Sequence, residues 1–328
     1  MRWVIVVVGS GVVGTATGKG LQSQGHHVTY IDTNPQRLAQ LRQEGLHATN
    51  TITLSDQPTI IFLTLPTPND GNHWDLHPLL TGTHAVAQAL QHTQTPHTIV
   101  VRSTVPPGTT EQTIQPLLEH HSGKKAGEGF TLASNPEFLR AHCALEDFLN
   151  PRMTVIGARS RRTQERLHDL LAPFGGEVRR FDDPAEPEII KCAHNLYNAA
   201  KISFWNELWH IACAIGADPA TIADTVARSA EASYNPNYGI RGGAPYGGAC
   251  LPKDTKGFLG YAAGLGLDVP LITAIDQVNE RMRALHNLPA TTTQPDPQPG
   301  HAQLALATPS GNGHPTPPGH APPATADG

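Results

Sequence analysis

The sequence has little of what marks a secreted, membrane-bound or nucleic-acid-binding protein. Its 328 residues include only four cysteines, Cys143, Cys192, Cys213 and Cys250. Their spacing fits neither a zinc site nor a disulfide framework. No run approaches the ~20 apolar residues that a helix needs to cross a bilayer. The apolar start, Val4 to Val8, is too short for a signal peptide and leads straight into glycines, which predicts a buried strand. Charged residues make up 16% and the net charge is −5. The basic excess that nucleic acid or an anionic membrane demands is missing, so neither is expected as a partner. There is no internal repeat. These absences together predict a cytoplasmic protein with reduced thiols. Large apolar residues all but vanish after Leu288. The Pro/His/Thr-rich segment 289–328 cannot bury enough surface to offset its ordering entropy and is expected to be disordered.

What is present begins with alternation. Apolar runs at Val4–Val8, Val28–Asp32, Thr59–Leu65, Thr98–Ser103, Phe130–Ser134 and Met153–Gly157 predict strands, with helical segments at Thr15–Gln24 and Pro35–Glu44. Strands alternating with helices imply an α/β fold, a doubly wound and mainly parallel sheet covered on both faces. From Glu188 to Ile215 there is no proline or glycine, which predicts one long helix ending at Gly216. Gly239–Pro252 reads as a glycine-rich loop, and Gly257–Leu285 as helical again. The expected organisation is a dinucleotide-binding domain at 1–186, an all-α central domain at 187–288 and a tail at 289–328.

Gly9-Ser10-Gly11-Val12-Val13-Gly14 is a G-x-G-x-x-G motif placed where it carries meaning, after a strand and at the start of a helix. Gly9 permits the tight turn. Gly11 lets the backbone approach a pyrophosphate seated on the helix N-terminus, with Val12 and Val13 following it. Gly14 allows close packing of helix on strand. Asp32 ends the second strand, where a carboxylate accepts the ribose hydroxyls and repels a 2′-phosphate. The cofactor expected is therefore NAD rather than NADP, although the nearby Arg37 could weaken that preference.

Gly247-Gly248-Ala249-Cys250-Leu251-Pro252-Lys253-Asp254 sets a thiol among small residues, with an acid four positions on. Taken alone, Cys250 is either an accessible nucleophile or a half-buried cysteine in a turn. Lys191 and Asn195 share one helix face. That lysine is either a snorkelling surface residue or a charge held to stabilise an oxyanion.

Several segments, in order, resemble the UDP-glucose/GDP-mannose dehydrogenase family over roughly residues 1–288. They are Gly9–Gly14, Leu65-Pro66-Thr67-Pro68, Ser103–Thr110, Asn135-Pro136-Glu137-Phe138-Leu139, Glu188–Glu207, Tyr238–Gly243 and Gly247–Asp254. The resemblance implies a four-electron oxidation of a primary alcohol to a carboxylate with two NAD in succession, of the UDP-glucose to UDP-glucuronate type, in polysaccharide or specialised sugar biosynthesis. It implies that Cys250 holds the sugar first as a thiohemiacetal and then as a thioester. It assigns Lys191 and Asn195 to the oxyanion, Asp254 to proton transfer and water positioning, and Glu137 to thioester hydrolysis. Thr104 lines both the catalytic site and the cofactor site. Glu137, Lys191, Asn195, Arg241 and Gly247 fall where substrate binds, although Arg241 reads equally well as an ordinary loop arginine. The family also implies a homodimer through the long helix, which carries Phe204, Trp205, Leu208 and Trp209.

The sequence departs from the family in one large respect. Members continue into a second Rossmann-like domain that grips the nucleotide of the substrate, and no strand-rich segment follows Pro289 here. Affinity for a nucleotide sugar is then expected to be weaker, or to come from elsewhere. The substrate could differ, a separate chain could replace that domain, or the protein could be a truncated form with impaired activity. Smaller departures are His142-Cys143 and an Arg102 where lysine is common, neither of which is expected to touch the chemistry. Two other functions stay open. One is a two-electron hydroxy-acid or alcohol dehydrogenase with Lys191 as its acid/base. The other is an NAD-binding subunit without turnover.

Overall fold

The computed structural model describes residues 2–69, 71, 73–248 and 250–289. The segment expected to be disordered lies, apart from Pro289, outside the described residues. Among the described residues eight strands form one sheet: β1 (Val4–Val8), β2 (His27–Ile31), β3 (Ala48–Thr49), β4 (Thr59–Leu63), β5 (His97–Val101), β6 (Phe130–Ser134), β7 (Met153–Gly157) and β8 (Glu177–Phe181). Their order is β3-β2-β1-β4-β5-β6-β7-β8. The first six are parallel in the doubly wound dinucleotide-binding order. The expected α/β architecture is therefore observed.

Residue alternation explains why helices cover both faces. Ile5, Val7, Ile60 and Phe62 enter one core with Leu21, Leu38, Leu41, Leu167 and Leu170. Val6, Val8, Ile61 and Leu63 enter the other with Leu79, Val86, Leu90 and Leu118. The first core packs α1 (Val12–Ser23), α2 (Pro35–Gln43), α5 (Ala144–Leu149) and α6 (Arg161–Leu171) on the sheet, and the second packs α3 (His77–Gln91) and α4 (Gln115–Ser122). Helices α3 to α6 and strands β3 and β8 go beyond the sequence reading. β8 reads Glu-Val-Arg-Arg-Phe and lies at the sheet edge, where exposed charged side chains hide a strand from any search for apolar runs.

The join between β6 and β7 is antiparallel and rests on a single pair, Ser134 with Gly157. Both residues are the last of their strands. β7 and β8 are parallel to each other, so the C-terminal ends of β6, β7 and β8 meet at one level. Gly157 makes this junction close. A Cβ there would stand 2.7 Å from the Pro187 ring and 2.9 Å from Pro184 Cα.

The chain divides into two compact units inside the long helix α7 (Ala185–Ala214), between Asn195 and Leu196. α7 starts three residues before the sequence reading places it. Pro187 falls in the first turn, where its missing N–H is not needed. Beyond the boundary come α8 (Pro219–Ser229), α9 (Glu231–Tyr234), α10 (Leu251–Gly264) and α11 (Pro270–Leu285). The helical stretch expected at Gly257–Leu285 is two helices, separated by a turn with Gly266 at φ +70°. The second unit has a small core of Ile211, Ala262, Val269 and Ile272. No helix among the described residues is long and apolar enough to cross a membrane.

Candidate active site: a dinucleotide cleft ending at a lysine-carboxylate pair

A cleft of about 1110 Å³ runs along the C-terminal ends of the first unit's strands. It is lined by Ile31 and Asp32 at the end of β2, by Gly9 after β1, by Thr64 to Thr67 after β4, by Arg102 to Thr104 after β5 and by Glu137 after β6. Four strand spacings separate β2 from β6, so the cleft spans roughly 19 Å. It lies where the strand order reverses, between β1 and β4, the usual ligand crevice of an open α/β sheet.

The three glycines do different work. Gly9 has φ +91°, and a Cβ there would stand 2.7 Å from the Thr64 carbonyl oxygen. A Cβ on Gly14 would stand 2.0 Å from the Gly9 carbonyl oxygen. At Gly11 a Cβ would meet nothing within 4 Å, because that face opens on the cleft. Gly11 caps α1, and no side chain accepts from the amides of the first turn. Those amides carry the positive end of the helix dipole and suit a diphosphate. Thr64 closes the turn from below, its Oγ1 donating to Gly9 O at 2.6 Å and Val8 O at 3.1 Å.

Asp32 accepts from the Ser10 amide at 2.8 Å through Oδ2 and from the Asn34 amide at 2.9 Å through Oδ1. Each oxygen keeps a lone pair for a ribose hydroxyl. Arg37 does not line the cleft; it braces the glycine turn from outside. Its guanidinium donates to Ser10 O at 2.7 Å, to Thr15 Oγ1 at 2.5 Å and to Gln40 Oε1 at 3.1 Å. With the carboxylate on the cleft and the guanidinium behind the turn, the residues fit an adenosine ribose without a 2′-phosphate.

At the far end, Lys191 Nζ lies 3.0 Å from Glu137 Oε1, with the lysine side chain 6% exposed and the glutamate 12%. The ammonium also stands 5.6 Å from the Phe138 ring centroid. Glu137 Oε2 accepts the Leu139 amide at 2.5 Å. Lys191 is thus a buried charge with a fixed partner, and the snorkelling alternative is set aside. Thr104 lines the same end of the cleft, its carbonyl accepting from Thr67 Oγ1 at 2.6 Å. Asn195 is exposed one turn beyond Lys191 on α7.

Arg102 is a correction. Expected to stand apart from the chemistry, it lines the cleft beside Glu137. It is buried, with Nη1 donating to Asn135 Oδ1 at 2.6 Å and Nε lacking a partner. Burial pulls its guanidinium down to about 10, and the Glu137 charge partly offsets that. The sequence signal was there: an arginine directly after the apolar run Ile99–Val101 is a charge drawn to the C-terminal edge of the sheet.

The other sequence-predicted residues belong to the second unit. Cys250 is an exposed free thiol at the N-cap of α10, which takes in the last two residues of the loop expected at Gly239–Pro252 and starts six residues before the helix expected from Gly257. Unpaired amides at that end favour negative charge. The Cys250 carbonyl accepts the Asp254 amide at 2.8 Å, and the Asp254 carboxylate pairs with Lys253 Nζ at 2.6 Å on the surface. Arg241 and Gly247 lie exposed in the loop before α10. No metal-binding cluster of His, Cys, Asp or Glu occurs among the described residues.

Comparison with known proteins matches this geometry. The NAD-binding domain of the UDP-glucose/GDP-mannose dehydrogenase family matches residues 44–175, and the central domain of the same family matches 185–281. A TrkA-N domain matches 5–57. The UDP-glucose 6-dehydrogenase AglM of Haloferax volcanii is 32% identical over 84% of this chain and 69% of its own length. The GDP-mannose 6-dehydrogenase of Pseudomonas syringae is 33% identical over 84% of this chain and 67% of its own. A ternary complex of GDP-mannose dehydrogenase from Pseudomonas aeruginosa superposes with a TM-score of 0.80 at 30% identity, covering 88% of this chain and 71% of that one. A UDP-glucose dehydrogenase from Pyrobaculum islandicum gives 0.64 at 30% identity, covering 87% and 69%. The cleft, its glycines and the lysine-carboxylate pair at its end therefore belong to an NAD-binding oxidoreductase, and the chain is a member of the UDP-glucose/GDP-mannose dehydrogenase family.

Proposed function

We propose that the protein oxidises C6 of a nucleotide sugar from alcohol to carboxylate, with UDP-glucose as substrate and Cys250 as nucleophile. The observation that carries this reading is the buried Lys191–Glu137 pair at the Thr104 end of the dinucleotide cleft. NAD, held by Gly11 to Gly14 and Asp32, supplies the hydride acceptor for both oxidations. Lys191 and Asn195 offer a cation and an amide to the oxygen that carries negative charge as the C6 alcohol becomes an aldehyde. The Cys250 sulfur adds to the aldehyde carbon, forming a C–S bond while the oxygen takes a proton. The resulting thiohemiacetal keeps the aldehyde from escaping. After the second oxidation the sugar is a thioester on Cys250. Glu137 takes a proton from water, the water oxygen attacks the thioester carbon, and the C–S bond breaks to return the thiol. Asp254 assists proton transfer and Thr104 lines the reacting end of the cleft, while Arg241 and Gly247 hold substrate. The same reading places the enzyme in the cytoplasm, where the four free cysteines stay reduced.

The test is NADH formed per substrate consumed. Two NADH and an acid product support the proposal, whereas one NADH and an aldehyde or ketone product would overturn it. A second reading, GDP-mannose as substrate, is favoured by the TM-score of 0.80 with the Pseudomonas aeruginosa enzyme. The ratio of kcat/KM for UDP-glucose and GDP-mannose separates the two. We also propose a homodimer through α7, where Leu196, Tyr197, Ile202 and Trp209 are more than half exposed. A monomer mass in solution at micromolar concentration would refute it.

A further inference from the structure

Glu188 lies one turn before Lys191 on α7 and is 2% exposed. Its carboxylate accepts three hydrogen bonds from the segment after β5. Oε2 takes the Gly108 amide at 2.5 Å, and Oε1 takes the Thr110 amide at 2.8 Å and Thr110 Oγ1 at 2.6 Å. One turn on, Cys192 Sγ donates to Val105 O at 3.6 Å. Two residues on either side of Lys191 thus fasten the back of a segment whose front, Ser103 and Thr104, lines the cleft. The segment is itself stiff. Pro106 and Pro107 are followed by Gly108 at φ +92°, Thr109 Oγ1 donates to Pro106 O at 2.6 Å, and a π-helical turn runs over Thr110–Ile114. A buried carboxylate is a poor source of stability compared with an apolar side chain, and burial pushes Glu188 up from the usual carboxylate range. What a carboxylate with three fixed donors does supply is a single register between two elements.

We propose that Glu188 is a positioning residue, which sets the Thr104 wall of the NAD cleft at a fixed distance from the helix that carries Lys191. This role rests on the dehydrogenase reading for its effect on turnover but not for its effect on NAD. Glu188→Gln in the full chain replaces one acceptor oxygen with a donor that confronts a backbone amide or the Thr110 hydroxyl. Thr110→Val removes a single donor at constant volume.

The experiment is hydrogen exchange of the amides in 104–112, with NAD affinity by titration and kcat on the active sugar. For Glu188→Gln the expected result is about ten-fold faster exchange in that segment, unchanged exchange in β1 and β4, and about ten-fold weaker NAD binding. kcat should fall further than NAD affinity does. Thr110→Val should move each readout the same way by less, and the double variant should be no worse than Glu188→Gln. If Glu188→Gln does not fold, Thr110→Val decides by the same readouts. Faster exchange with unchanged NAD affinity would reduce Glu188 to a structural contact and overturn the proposal, as would unchanged exchange. Full acid formation by Cys250→Ser would remove the catalytic reading while leaving the exchange and NAD results to judge Glu188.

Discussion

The sheet unit and the helical unit treat their apolar residues in opposite ways. In the first, nineteen buried residues on one face of the sheet and fifteen on the other make two closed cores. In the second, the buried cluster among the described residues has four members, while Leu196 is 69% exposed, Ile240 67% and Leu285 75%. The first unit satisfies itself and holds its cofactor cleft on strand ends that cannot shift singly. The second carries the proposed nucleophile on a scaffold with exposed apolar surface, part of which the proposed homodimer would cover. Cofactor binding and chemistry should then be separable by mutation.

The largest separation is expected from Cys250→Ser. Acid production should fall by about 1000-fold or more, with NAD affinity unchanged, as read by product analysis and dinucleotide titration. A mutant that still forms acid at the native rate would end the covalent mechanism. Lys191→Met should follow, because it strands Glu137 without its cation. It should destabilise the sheet unit by about 3 to 4 kcal/mol in urea unfolding and suppress turnover, and an unchanged midpoint would show that the pair is not structural.

Two glycines sharpen the comparison within the first unit. Gly14→Ala forces a methyl to 2.0 Å from the Gly9 carbonyl oxygen. It should lower stability by about 2 to 3 kcal/mol. Gly11→Ala meets no protein atom and should leave the melting temperature alone while weakening NAD. Equal stability loss in both variants would contradict the geometry.

The smallest effect concerns acid. His97 is buried between strands, its Nδ1 accepting the Thr59 amide at 3.2 Å and its Nε2 facing Thr93 Oγ1 at 3.3 Å. Burial pulls it from 6.5 down to about 4. The folded state therefore binds this proton more weakly than the unfolded chain. The stability His97 protects is complete above pH 6.5 and declines as pH falls toward 4. The loss by pH 5 should be about 2 kcal/mol. His97→Gln should flatten that slope; an identical slope would assign the acid sensitivity elsewhere.

Local chemistry was legible and distant pairing was not. Gly9, Gly11, Gly14 and Asp32 could be read because the turn, the helix start and the acid lie within one strand-helix-strand stretch, where spacing determines geometry. β4 and β5 could be read because these central strands are buried throughout and carry the apolar runs Ile60–Leu63 and Ile99–Val101. The partnership of Lys191 with Glu137 joins residues 54 apart (191 − 137), and no periodicity announces it. Glu188 entered the sequence reading only as the first residue of a long helix and of a segment resembling the family. Its signal is an acid just after Pro187 on the helix face that meets Gly108 and Thr110. The helical unit was the least legible part, because a loop of glycines and a proline-opened helix look alike until the backbone turns.

The single antiparallel pair between Ser134 and Gly157 works as a ruler. It joins the last residues of β6 and β7, and Gly157 pairs in turn with Phe181 at the end of β8, so the chain leaves β8 for α7 at the height where β6 releases Glu137. Each residue added to or removed from β7 would slide that delivery point by about 3.3 Å along the sheet. The glycine turn and Asp32, four and five strands away from β7, would not feel the change. In this chain the height of Lys191 above the sheet can therefore be altered by the length of one short strand, without touching the glycine turn or Asp32.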